Sequence, residues 1–429
     1  MTKSLFIDPR EVRQPGWIEF GRIPVNQYAR TLEEEKAFYS RDDFLRIYRD
    51  MRIIREFETM LYQVKTTNSY NGVEYSNPGP AHLSMGQEAA AVGQSYLLTV
   101  DDFIFGSHRS HGEILAKGLS AIHRLPDETL LSIMESFLGG DTFRVVEKAA
   151  AGRAIGIKDL AVDFLVYGAL AEIFAKATGF HRGLGGSMHA FFLPFGIYPN
   201  NAIVGGSADI TVGAALYKKI NRKNGVVVCN IGDGSLGCGP VWEAFMMALM
   251  DQYETLWEGD MKGGLPLIFN IMDNQYAMGG QTRGETMGYD QLARIGAISP
   301  DMMHAERVDG YNPLAVIDAM RRKLGLIAEK KGPILMDLLT YRYSGHSPSD
   351  AMSYRTREEM EAWEREDSIA SFRLRLLEAG IAAVSDLDAL DASIEDTITR
   401  ALRLAADPAE SPRMDLAKTP DAIETLMFS

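Results

Sequence analysis

Residues 226–231 (VVVCNI), 265–272 (LPLIFNIM) and 333–341 (PILMDLLTY) are of strand length and apolar almost end to end. A strand with one wet face alternates apolar and polar side chains. These do not, so both of their faces must be covered. Between them, residues 240–257 and 313–329 carry apolar side chains at helical spacing, and 305–308 is a shorter strand candidate. Strands separated by helices predict an α/β fold, a parallel sheet flanked by helices. Upstream, Phe44, Ile47, Tyr48, Met51, Ile54, Phe57 and Leu61 lie on one helical face of residues 41–65. Residues 86–98 and 127–178 also read as helical, so a helical N-terminal region precedes the sheet. Residues 66–80 read as loop, and 179–206, rich in Gly and aromatics, as too irregular for long elements.

In an open parallel sheet, ligands bind outside the carboxyl ends of the strands. The first run leads into Gly232-Asp233-Gly234, the second into Asp273-Asn274-Gln275-Tyr276. A carboxylate and a carboxamide at neighbouring strand ends suit Mg²⁺, which takes one or two protein oxygens and fills its octahedron with phosphate and water. A helix starting near Pro240 would present its N–H groups to an anion. Neither a Gly-x-Gly-x-x-Gly fingerprint nor a Walker lysine occurs in this unit, which disfavours a nicotinamide or ATP site. Lys plus Arg number 44 against 58 Asp plus Glu, a net charge of −14. Such a chain has no general attraction for nucleic acid or an anionic membrane, so a phosphorylated ligand needs a local cluster of donors. The two cysteines, Cys229 and Cys238, fit no zinc or disulfide pattern and read as reduced thiols. The N-terminus lacks a signal-peptide apolar region, and no apolar run approaches the ~18 residues of a membrane span. A cytoplasmic protein is expected.

GDGSLGCGPVWEAFMMA followed by MDNQYAMGG resembles the thiamine diphosphate signature of the α subunits of 2-oxo acid dehydrogenase E1 components, of pyruvate, acetoin and branched-chain type. HLSMGQEAAAVG (82–93), GSHRSHGEILAKG (106–118), GGSMHAFF (185–192), AIVGG (202–206), RVDGYNP (307–313) and YRYSGHSPSDAMSYRTREE (341–359) follow in the family's order. The resemblance implies a thiamine diphosphate-binding fold, with thiamine diphosphate and Mg²⁺ as cofactors. Asp233, the Asn274 side chain and the Tyr276 carbonyl would hold the metal. Arg109 would pair with the diphosphate, whose geometry its planar fork suits. His346, on a mobile loop, would donate to the same group, and Val204 would offer its carbonyl to the aminopyrimidine. His108, Gly232 and Gly234 would line the cofactor, and His82 would face the substrate. His82 and His346 are the implied catalytic residues; His111 and His189 read as structural.

The activity implied is oxidative decarboxylation of a 2-oxo acid with transfer of the acyl group to a lipoyl acyltransferase (E2). The alternatives are an acetoin- or diketone-cleaving α chain and a catalytically silent assembly partner. The family's pyrimidine-activating glutamate is not identifiable here, so an E1 β subunit in an α₂β₂ heterotetramer is the implied partner. The expected organisation is an arm over 1–40, the cofactor domain over 41–380 with a helical insertion at about 141–178, and a helical segment and tail over 381–429. Four positions depart from the family's pattern. Asp273 replaces an Asn, His108 replaces a Tyr, Ser344 replaces a His, and Pro80-Ala81 stands where pyruvate-specific chains tend to carry an aromatic. The 38 residues from Ser235 to Met272 include an added polar stretch at 251–263, expected, like 141–178, to lie outside the pocket.

Overall fold

A computed structural model describes residues 6–421; residues 1–5 of the expected arm and 422–429 of the expected tail lie outside the described residues. The central sheet has five strands: β1 (Phe103–Phe105), β2 (Val227–Gly232), β3 (Leu267–Asp273), β4 (Glu306–Asp309) and β5 (Ile334–Leu339). All neighbours run parallel, in the order β1-β2-β3-β5-β4. The helices that frame it are α1 (Arg41–Thr66), α2 (Glu88–Ser95), α3 (His111–Arg124), α4 (Ile157–Ile173), α5 (Gly206–Ile220), α6 (Gly239–Ala248), α7 (Pro313–Ala328) and α8 (Val384–Ala406).

Strand side chains point alternately to opposite faces, and each face has its own core. Val228, Ile268, Ile334 and Met336 join the residues of α1, α2, α3, α4, α7 and α8. Val227, Cys229, Ile231, Leu267, Phe269 and Leu335 join Ala208, Val212 and Ala215 of α5 and Val241, Ala244 and Phe245 of α6. This two-sided burial is why the strands lack alternation. Among the described residues, no helix is long and apolar enough to cross a membrane.

The structure corrects the sequence reading in five places. The expected helix over 240–257 stops at Ala248, and two short turns, Gln252–Thr255 and Gly259–Met261, follow in the polar insertion. Residues 127–178 form three helices, with Gly139 and Gly140 at positive φ (67° and 81°) between the first two. The loop over 66–80 contains a two-stranded hairpin turned by Asn71-Gly72, both at positive φ (46° and 74°), the geometry that Asn-Gly favours. The edge strand β1 was not expected, since three residues carry no period. Helix α5 was missed because its buried face is built from small residues, Ala208, Thr211, Val212 and Ala215.

The irregular segment after α4 has its own anchor. Buried Glu172 accepts four backbone N–H groups, those of His181 (2.7 Å) and Gly183 (2.9 Å) on Oε2 and those of Gly185 (2.6 Å) and Gly186 (3.2 Å) on Oε1. One carboxylate thus replaces the ladder bonds that this stretch of chain cannot make.

Candidate functional site

Strands β2 and β3 are neighbours, with Gly232 paired to Met272, so both strands deliver their next residues to one place. The chain leaves β2 in a tight turn, Asp233–Gly237, held by Ser235 Oγ donating to the Gly232 carbonyl at 2.5 Å. Asp233 is buried, and the Thr282 hydroxyl donates to its Oδ2 at 2.7 Å. Burial raises its carboxyl above the usual range, because no cation stands by it closely enough to offset desolvation. Past β3, Asn274 Oδ1 accepts the Tyr276 N–H at 3.2 Å and Gln275 takes φ = 67°, which turns the chain across the strand end. Gly234 lies against Ala277, where an added Cβ would come to 3.3 Å.

Asp273 turns the other way. Its Oδ2 meets Arg307 Nη1 at 3.1 Å, and the same nitrogen bonds Asp337 Oδ2 at 2.8 Å. Burial and the nearby Asp337 carboxyl raise the Asp273 carboxyl far above its ordinary value. The carboxylate in place of the family's Asn is thus taken up by β4 and β5 rather than by the cavity.

Asp233, Asn274 and Tyr276 line a cavity of about 260 Å³ together with His108, Arg109, Val204, Gly232, Gly234, Arg342 and His346. His82 is not among the lining residues but stands directly behind them. Its ring centroid is 4.8 Å from that of His108 and 5.0 Å from that of His346. The segment carrying His82 is fixed by Gly86 (φ = 99°), where a Cβ would come to 2.5 Å of the Tyr341 carbonyl. Val204 sits at the exposed lip, just before α5. No residue of 141–178 or 251–263 lines the cavity. His111 is buried in a separate network, with Nδ1 3.2 Å from Glu58 Oε1 and Nε2 2.8 Å from Ser187 Oγ, as a structural residue should be.

The lining of the same cavity is also rich in positive and donor groups. Arg109 is buried, its Nη1 donating to the Leu83 carbonyl at 2.7 Å and its Nη2 to the His346 carbonyl at 2.8 Å. Arg342 donates to the Ser344 carbonyl at 3.2 Å and to the Tyr354 hydroxyl at 3.0 Å. Neither has a carboxylate partner among the described residues. Burial, with Arg342 close by, pushes Arg109 down to about 9. Burial and Arg109 hold the imidazoles of His82 and His108 near 3 and that of His346 near 4, so all three are neutral at pH 7. Sequence reasoning missed Arg342, Thr282, Gln87, Glu113 and Asn230. One signal was available. Asn230 and Asn270 each interrupt an apolar strand, and they pair in register, with Asn270 Nδ2 donating to Asn230 Oδ1 at 3.0 Å.

Several buried polar atoms at or beside the cavity have no partner among the described residues: His82 Nδ1, Gln87 Oε1, Glu113 Oε2 and Asn230 Nδ2. Buried polar groups are normally satisfied. Guanidiniums without a carboxylate partner, lining one cavity with a desolvated carboxylate and a carboxamide, therefore fit an anion that carries its own divalent cation. A metal-bound diphosphate is such a group.

The dehydrogenase E1 component family model matches residues 55–136 and 159–413. The chain is 28% identical over 384 residues to the α subunit of the pyruvate dehydrogenase E1 component of Rhizobium meliloti (strain 1021), covering 89% of this chain and 90% of the relative. It is 30% identical over 379 residues to the human somatic mitochondrial α subunit, covering 88% of this chain and 79% of the relative. The Rickettsia prowazekii α subunit is 26% identical over 382 residues, covering 88% and 97%.

Proposed function

The chain belongs to the dehydrogenase E1 component family, and from that membership we propose that it is the α subunit of a thiamine diphosphate-dependent 2-oxo acid dehydrogenase. Its relatives are pyruvate dehydrogenase α subunits, and the activity is that of an oxidoreductase acting on an oxo group. When bound, thiamine diphosphate supplies the electron sink that decarboxylation of a 2-oxo acid requires. The protein's residues bind and orient it. Asp233, Asn274 and the Tyr276 carbonyl hold Mg²⁺. The Arg109 fork and the neutral His108 and His346 imidazoles meet the diphosphate, and Arg342 adds charge behind them. His82, neutral and with Nδ1 unpaired among the described residues, offers a hydrogen bond as the catalytic residue at the substrate end. Val204, at the lip, offers its carbonyl to the aminopyrimidine.

The observation that carries this reading is the presence, in the lining of one cavity, of an oxygen ligand set and two arginines without carboxylate partners among the described residues. The acyloin-cleaving and catalytically silent alternatives are not favoured, given the relatives and the intact ligand set. A β subunit supplies the other half of the site, in an α₂β₂ assembly, and an E2 acyltransferase takes the acyl group. The unpaired thiols Cys229 and Cys238 suit a cytoplasmic, reducing setting. The test is decarboxylation of pyruvate and branched 2-oxo acids with thiamine diphosphate, Mg²⁺ and an artificial electron acceptor. Turnover is expected with the β chain added and absent without it. Full turnover by this chain alone overturns the two-chain reading.

A further inference from the structure

Three histidines from three separate segments meet at one edge of the cavity. His82 follows the Pro80-Ala81 turn, His108 stands between β1 and α3, and His346 lies beyond β5. Their ligating nitrogens all lie within 4.8 Å of one another, and the rings are half-buried. The third centroid separation, His108 to His346, is 5.5 Å. His82 Nδ1 has no hydrogen-bond partner among the described residues. His346 Nδ1 has only Arg109 Nη2 at 3.5 Å, beyond normal hydrogen-bond length. Three imidazoles with unused nitrogens and no carboxylate among them form a ligand set of one chemical kind. Burial and the nearby guanidiniums keep them unprotonated at neutral pH, as a metal ligand must be.

From this geometry we infer that His82, His108 and His346 form a second metal site, for a divalent transition ion such as Zn²⁺. It is distinct from the oxygen-lined Mg²⁺ site at Asp233 and is occupied when the cofactor is absent. Hard Mg²⁺ prefers oxygen, whereas imidazole suits Zn²⁺ and its first-row neighbours. Zn–N bonds of about 2.0–2.1 Å place the nitrogens of a tetrahedral site roughly 3.3 Å apart. The cluster therefore has to close by about 1.5 Å at most, an adjustment of the size that rotation of the imidazole side chains supplies. Arg109 loses only its long contact to His346 Nδ1 and keeps its two carbonyl partners. The positive charge of Arg109 and Arg342 opposes any dication, which further selects ions that bind imidazole strongly. Water takes the fourth position, as in open three-histidine zinc sites.

The consequence for loading rests on the functional reading above. Two of the three imidazoles, those of His108 and His346, meet the diphosphate in that reading, so a metal ion held there excludes the cofactor, and the cofactor excludes the metal ion.

The probe is Co²⁺, added to the untagged, cofactor-free full chain. The visible absorption of four-coordinate cobalt should appear, saturate near one ion per chain, and vanish when Zn²⁺ is added. Loss of an outer-shell partner commonly weakens a metal site 10–100-fold, so removal of a ligand in His108→Phe should weaken Co²⁺ by at least about tenfold. Asp233→Asn should leave the cobalt spectrum unchanged, because Asp233 belongs to the other set. Thermal unfolding of each variant controls for folding. A second arm needs no variant. Thiamine diphosphate with Mg²⁺, added to the assembly with the β chain, should release the cobalt. No visible band in the full chain, or a band that survives both His108→Phe and His346→Phe, overturns the site. Cobalt that stays bound at saturating cofactor overturns the competition. If the metal-free assembly does not bind thiamine diphosphate, the functional reading fails, and the cobalt spectrum of the chain alone still decides the metal site.

Discussion

Two buried glutamates, about sixty residues apart in sequence, live under opposite conditions. Glu172, near the end of α4, has four backbone N–H donors from the glycine-rich segment around it. Glu113, in the first turn of α3, lines the cavity with Oε2 unpaired. The first carboxylate is used up by the fold. The second, like Gln87 Oε1 and Asn230 Nδ2 near it, is left without a partner. A native chain leaves such groups unsatisfied at a high free-energy cost, and the usual reason is a ligand or a functional strain. The contrast separates polar groups that build the scaffold from polar groups that wait on a ligand.

The sharpest way to break this contrast is at its structural end. Glu172→Ala strands four buried N–H groups, each worth about 1–3 kcal/mol when left unpaired. Allowing for water entry, a loss of about 4 kcal/mol or more is expected, measured by urea unfolding. A loss below about 1 kcal/mol would show that the glycine-rich segment holds its shape unaided.

The opposite sign is expected at Glu113. Burial, with the Glu58 charge adding to it, raises its carboxyl from 4.5 to about 7, while His111 and Arg109 lower it. The folded chain thus binds this proton more tightly than the unfolded chain does. The full stability is present below about pH 4.5 and is lost as pH rises to about 7. Above that, the buried charge costs about 3 kcal/mol. Glu113→Gln keeps the shape and cannot ionise, so it should stabilise the cofactor-free protein by about 2–3 kcal/mol at pH 8 and hardly at all at pH 4. Equal effects at both pH values would remove the contrast with Glu172.

At the cavity itself, Asp233→Asn exchanges the charged side chain proposed as a metal ligand for a neutral one without changing its volume. Mg²⁺-dependent binding of thiamine diphosphate to the α–β assembly should weaken by at least about thirtyfold, roughly 2 kcal/mol. The Thr282 hydroxyl, 2.7 Å from Asp233 Oδ2, keeps a partner in Asn, so thermal stability should change little. Unaltered affinity would sink the metal assignment.

The two regions also differ in how far the sequence exposed them. Asp233 and Asn274 were legible because two apolar runs end in them, and a parallel sheet puts its strand ends together. Arg109 and His346 were legible only through resemblance, since nothing in their local spacing says that they converge. Glu172 gave no signal. A glutamate inside a helical run reads as solvated, and its four donors come from a segment whose path no periodicity encodes. Asp273 was noticed as a departure, but its pairing with Arg307 and Asp337 depends on register between β3, β4 and β5, which only the fold supplies. Helix α5, with its small buried residues, and the three-residue strand β1 failed for a different reason: there is too little apolar contrast to carry a period.

The smallest effect expected tests whether Arg109 belongs to the waiting group or to the scaffold. Its fork already bridges two carbonyls, Leu83 at 2.7 Å and His346 at 2.8 Å, so it ties the segment after His82 to the segment carrying His346. Lysine keeps the charge but has one nitrogen and no rigid fork. It can hold one carbonyl or the diphosphate, not all of them together. If Arg109 serves the cofactor, Arg109→Lys should weaken thiamine diphosphate by about tenfold, or 1.4 kcal/mol, while the cofactor-free protein unfolds within about 1 kcal/mol of the parent. If Arg109 is scaffold alone, the order reverses: stability falls and cofactor affinity, corrected for unfolded protein, holds. Limited proteolysis of residues 343–355 reads the same division. Cofactor should protect this segment in the parent, because Arg109 and His346 then share a ligand as well as a hydrogen bond. In Arg109→Lys the protection should be partial. Equal cutting with and without cofactor in the parent would mean that His346 is held by the protein in both states, which would move it, with Glu172, to the scaffold side of the comparison.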